Sequence, residues 1–122
     1  MTVAYWVIAG LLAAFYTFAG GKKVLQSREQ LEPMMGWVDV VPMPLVRTIG
    51  ALELLGALGL ILPPLTGIAP GLAIAAAIGL VIIQIGGIDL HVSRHELEPL
   101  PLNVVLLALA AVAAWLGTSV VL

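Results

Sequence analysis

The sequence predicts an all-α integral membrane protein, a bundle of four helices with an interfacial or re-entrant segment between the first and second. Three observations carry this reading. The chain is 61% hydrophobic and only 10% charged over 122 residues, with a mean hydropathy of +1.14. A soluble domain of this size buries only roughly 60–70% of the surface it exposes on unfolding, so lipid must be the solvent for most of it. The apolar residues also fall into four blocks, each close to the roughly 20 residues that cross a bilayer. Finally, prolines, glycines and charges gather between the blocks. Lipid leaves no partner for an unpaired backbone group, and so short a chain cannot close a barrel; the blocks must be helices. One unit spanning residues 1–122 is expected.

The first span is read at about residues 3–20, ending at Gly20-Gly21-Lys22-Lys23. It has no basic leader and is too long for a signal peptide, so it is expected to be retained. The second covers about 44–62: Pro44 suits a first helical turn, and Pro63-Pro64 is expected to stop the helix. The third covers about 68–90, with Pro70 early, and the fourth about 102–122, after Pro99 and Pro101. Small residues recur at four-residue spacing, as at Ala69/Ala73/Ala77 and Ala110/Ala114, a pattern that lets membrane helices approach closely.

The connection 21–43 is too long for a plain turn. Ser27 and Gln30 have the spacing of a capping box, so a short helix is expected to start near Ser27. Met34, Met35 and Trp37 make part of the segment apolar, which suits an element folded over the mouth of the bundle; an ordinary loop on the headgroups is the alternative. All five Lys and Arg lie in or beside the first and third connections. The positive-inside bias places those connections in the cytoplasm and both termini outside, with Tyr5, Trp6 and Trp115 in the outer aromatic belt.

Glu53 is the residue that asks for an explanation. It sits in an apolar run whose only other charge is Arg47. An ionisable group at membrane depth is costly and normally faces a protein interior or a wet cavity. Six residues separate Glu53 from Arg47, about 9 Å of rise and about 120° of rotation, so the two are awkward partners and Glu53 should look to another helix. Gln84 and His91 share a face of the third span with Gly87 between them, and Tyr16 and Lys23 are likewise seven apart around Gly20. Asp89 points elsewhere. Asn103 opens the fourth span at the same depth.

Tyr16, Lys23, Arg47, Glu53, Gln84, His91 and Asn103 could thus line a polar chamber in the cytoplasmic half. They could equally form a closed hydrogen-bond network that holds four helices in register. Volume separates the two, since a chamber needs space and glue needs contact. The protonation state of Glu53 turns on whether a cation reaches it.

Other chemistries find little support. A net charge of −2 gives no electrostatic case for nucleic acid, and the absence of cysteine removes thiolate chemistry. His91 and His95 are four apart but lack the further ligand and base of a helix-borne zinc site, so no metal is expected. No cofactor is evident.

Trp37 to Pro44, Arg47/Gly50/Glu53/Gly56, and Leu60 to Pro63 resemble the DoxX-like family of four-helix membrane proteins. Ala19 to Lys23, His91 to Glu96 and Pro101 to Asn103 fit the same pattern, and the resemblance covers nearly the whole chain. It implies a four-helix membrane bundle. The family takes its name from a subunit of an archaeal thiosulfate:quinone oxidoreductase, so a redox role here would need a bound quinone or a redox partner protein.

Two functions remain in view, with transport ranked below both. One is the binding of a lipophilic small molecule, quinone- or lipid-like, or of a partner, in a polar pocket centred on Glu53. The other is a membrane-embedded enzyme with Glu53 as general acid/base and Arg47 or Lys23 stabilising charge. A purely structural accessory subunit and a homo-oligomer are further outcomes.

Overall fold

Four long helices and one short one make up the computed structural model, which describes residues 2–121. They are α1 (Thr2–Leu25), α2 (Arg28–Leu31), α3 (Met43–Thr66), α4 (Leu72–Ser93) and α5 (Leu100–Val121), with a 3-10 turn at Gly36–Asp39. The long helices have 24, 24, 22 and 22 residues. At about 1.5 Å per residue each exceeds the roughly 30 Å of a hydrocarbon core. Their outward faces are leucine, isoleucine and valine, as at Val7, Leu55, Ile82 and Val105, so the protein is a multi-pass membrane bundle. Met1 and Leu122, which the sequence reading included, lie outside the described residues.

The helices form a ring in chain order. Neighbours are α1 with α3, α3 with α4 and α4 with α5, and α5 returns to α1. The α1–α3 seam is the tightest. A Cβ on Gly20 would lie 2.7 Å from the Gly50 carbonyl oxygen, and one on Gly50 would lie 2.6 Å from the Lys23 Cβ. Only hydrogen fits at both positions, so these glycines set how closely the two backbones cross.

The core below that crossing is apolar, built from Leu12, Leu60, Ala77, Leu80, Ala110 and Leu116. A smaller cluster of Leu31, Val38, Val41 and Val46 seats the 26–42 connection on the ends of α3 and α4. The expected capping box is present: the Ser27 amide donates to Gln30 Oε1 (2.9 Å), and the Gln30 amide donates to Ser27 Oγ (3.2 Å). The Arg28 guanidinium donates to the Val38 carbonyl and folds the connection back on itself.

Three boundaries depart from the expectation. α1 runs five residues past Gly20 because two mid-helix glycines cost only about 1 kcal/mol each, and the close crossing with α3 offsets that. α3 continues through Pro63-Pro64 to Thr66 and stops at Gly67, whose φ of 75° is left-handed. Pro64 cannot donate to the Leu60 carbonyl, but the Tyr5 hydroxyl does so instead, at 2.7 Å. α4 starts at Leu72 rather than near Ile68: Ala69 stands before Pro70, where the α region is disfavoured, and it takes a left-handed φ of 47°. Tyr5 also departs from the aromatic belt. It is fully buried, packed edge-on to Trp6, while Trp115 is exposed.

Candidate functional site

The polar residues collect at one end of the bundle, where α1 and α4 finish and α3 and α5 begin. Glu53 looks across to α1, as its rotation away from Arg47 required. Lys23 Nζ donates to Glu53 Oε1 at 2.5 Å, and the two side chains are only 9% and 2% exposed. Such a pair survives burial because each charge compensates the other. The Lys23 ammonium also lies over the Trp37 ring, 5.8 Å from its centroid.

Beside the ion pair runs a chain of neutral bonds across the ring. Asn103 Nδ2 donates to Gln84 Oε1 (2.8 Å), and Gln84 Nε2 donates to the Tyr16 hydroxyl (2.6 Å). α5, α4 and α1 are thereby joined at one depth. Gly87 allows this approach, since a Cβ there would lie 3.3 Å from Asn103 Nδ2.

Two clefts reach this cluster, one of about 470 Å³ and the other of about 500 Å³. Lys23, Trp37, Glu53, Gln84, His91 and Asn103 line both. Volumes in this range suit a small-molecule ligand.

Of the seven residues named from the sequence, five therefore meet at the cleft walls. Tyr16 is fully buried behind Gln84 and lines neither cleft. Arg47 also lines neither. Its guanidinium donates to the Lys23 and Gln26 carbonyls at 2.7 and 2.5 Å, capping the end of α1, where the unpaired carbonyls and the helix dipole favour a cation. Asp89 lies at the rim of the smaller cleft rather than pointing away from the site.

Trp37 was not singled out as a site residue by sequence reasoning. Its aromatic side chain in an otherwise loop-like connection was the available signal, but its position depends on how 26–42 folds back. A charged strap fixes that fold-back from outside. Arg94 bonds Asp39 at 3.1 Å and Glu96 at 2.9 Å, and Glu96 also meets His91 Nδ1 at 3.1 Å. The bond from His91, followed by Arg94, holds the Glu96 carboxyl below its ordinary value.

Compared with known proteins, the sequence model of the DoxX-like family matches residues 7–113. No curated protein and no solved structure matches the chain.

Proposed function

The chain belongs to the DoxX-like family, and we propose that it binds a lipophilic small molecule, quinone- or lipid-like, whose polar group sits against the Lys23–Glu53 pair. One observation carries this reading: two clefts of ligand size end on the same buried ion pair. A network serving only as glue would close on itself, since polar contacts between membrane helices need contact and no space. Here Lys23 takes one oxygen of Glu53, and both residues still line the two clefts. An ammonium offers three donors, so Lys23 keeps two for a carbonyl or hydroxyl of the ligand. The bias of Lys and Arg towards this end supports a cytoplasmic orientation for the site.

Native mass spectrometry of the protein released from its own membranes tests the proposal. A lipophilic mass beyond bulk phospholipid should accompany the wild type and be lost from the Lys23→Met/Glu53→Leu variant, which removes both charges together. The same adducts on both proteins would overturn it. A second reading, Glu53 as general acid/base, is favoured by a carboxylate–ammonium pair in the wall of a cleft. It requires the bound molecule to be returned chemically altered.

A further inference from the structure

The two clefts share a wall but differ in position and chemistry. The smaller one leaves the bundle between α3 and α4, over Leu45, Ile49, Ile83 and Leu90. Apart from Trp37, Asp89 and the shared polar wall its surface is aliphatic, and Gly86 and Gly87 widen it by carrying no side chain. The larger one leaves between α1 and α5, past Phe15, Phe18, Met35 and Leu102. Its apolar surface is largely aromatic and thioether-bearing, and Glu96 and Glu98 line it as well. In a ring ordered α1, α3, α4, α5, these two gaps lie on opposite faces. They are also the looser seams, since the closest packing joins α1 to α3 and α4 to α5.

We infer that the site takes two lipophilic molecules at once, an alkyl chain between α3 and α4 and a planar ring compound between α1 and α5, with their polar groups meeting at the Lys23–Glu53 wall. The inference rests on the ligand-binding reading above and deepens it. A single molecule filling both clefts would have to carry its apolar body across Lys23, Glu53, Gln84 and Asn103, setting hydrocarbon against the hydrogen-bonding positions that these side chains do not spend on one another, at a cost of about 1–3 kcal/mol each. Two molecules leave the wall to polar groups on both sides.

The linings assign the occupants. Aromatic rings hold a planar ring by offset or edge-on contact, and a methionine sulfur adds a favourable contact at the ring edge. An aliphatic slot has no such geometry to satisfy and accepts a flexible chain. The wall has the capacity for both. Lys23 has two further donors, and His91 offers its second ring nitrogen.

Two glycines provide separate plugs. A Cβ on Gly86, at the α3/α4 cleft, or on Gly36, at the α1/α5 cleft, would meet nothing within 4 Å. Trp37 faces both clefts and reports on either. In a Trp6→Phe/Trp115→Phe background it is the only tryptophan of the three in the chain.

The test is quenching of Trp37 in nanodiscs by two probes: a short-chain naphthoquinone and a dibrominated fatty alcohol. Both should quench saturably, and neither should displace the other. Gly86→Leu should weaken the brominated alcohol at least tenfold and spare the naphthoquinone, and Gly36→Leu should do the reverse. The retained probe shows that each variant is folded. Competition between the probes, or one plug that removes both, would reduce the site to a single chamber and overturn the inference while leaving ligand binding intact. If neither probe quenches saturably in the parent, both the inference and the ligand-binding reading fall.

Discussion

The two ends of this bundle treat a polar group among apolar helices in opposite ways. At one end the Tyr5 hydroxyl reaches the Leu60 carbonyl that Pro64 leaves without a donor, and Leu12, Leu60, Ala110 and Leu116 pack nearby. The polar atom is there to satisfy a backbone group, and contact completes its task. At the other end Lys23, Glu53, Gln84 and Asn103 are also bonded to protein, yet two clefts open onto the same side chains. Both ends satisfy their polar groups, and what distinguishes the second is the space beside them.

The sharpest way to break this comparison is to treat the Lys23–Glu53 pair as if it were glue. Lys23→Met alone strands a carboxylate that is 2% exposed. Removing one partner of a buried pair typically costs about 3–5 kcal/mol, whereas replacing both by apolar residues is often neutral or stabilising. Thermal unfolding in detergent should therefore show a large loss for the single variant and recovery in Lys23→Met/Glu53→Leu. If the pair serves a ligand, the double variant is stable and empty. A double variant as unstable as the single one would make the charges themselves structural.

A smaller effect is expected at the closed end. Tyr5→Phe keeps the ring and its edge-on contact with Trp6, and removes only the donor to Leu60. An orphaned buried carbonyl costs about 1–3 kcal/mol, and interhelical bonds in membranes fall towards the lower figure. Stability should drop by about 1 kcal/mol with no change in ligand occupancy. A loss of occupancy would mean that the two ends are coupled through α1 and α3.

These two ends also differ in what the sequence discloses. Glu53 was legible because a carboxylate in an apolar run is costly wherever the helices lie, and its rotation away from Arg47 follows from helix geometry alone. The four spans were legible because length and hydropathy determine them. Pro63-Pro64 misled because its compensation comes from Tyr5, 55 residues away. The surroundings of Arg47 were hidden for a related reason: it donates to carbonyls at the end of α1, which runs on past two glycines where Gly20 meets Gly50. Trp37 reaches the site through the fold of a connection whose own small core is tertiary. What periodicity encodes was readable, and what depends on a distant partner was not.

The strap over the open end gives the smallest expected effect. Asp39, Arg94, Glu96 and His91 tie the Trp37 segment to the end of α4. Hydrogen bonds from His91, then Arg94, hold the Glu96 carboxyl below its ordinary value of 4.5. A carboxylate lowered on folding contributes stability above its ordinary value and loses it as pH falls through the lowered one. The strap should therefore hold through neutral and mildly acidic conditions and loosen only below about pH 4.5. Acrylamide quenching of Trp37 in the single-tryptophan background reads this directly, with accessibility rising under acid while the helical signal persists. Glu96→Gln should raise accessibility at pH 7 and shrink the acid response, because it leaves the strap only the Arg94–Asp39 bridge. The step should be modest, since water reaches Glu96 and Asp39 and screens them. If Trp37 stays equally shielded from pH 7 to pH 3, the hydrophobic seat of Leu31, Val38, Val41 and Val46 holds the segment alone, and the open end is covered by packing just as the closed end is.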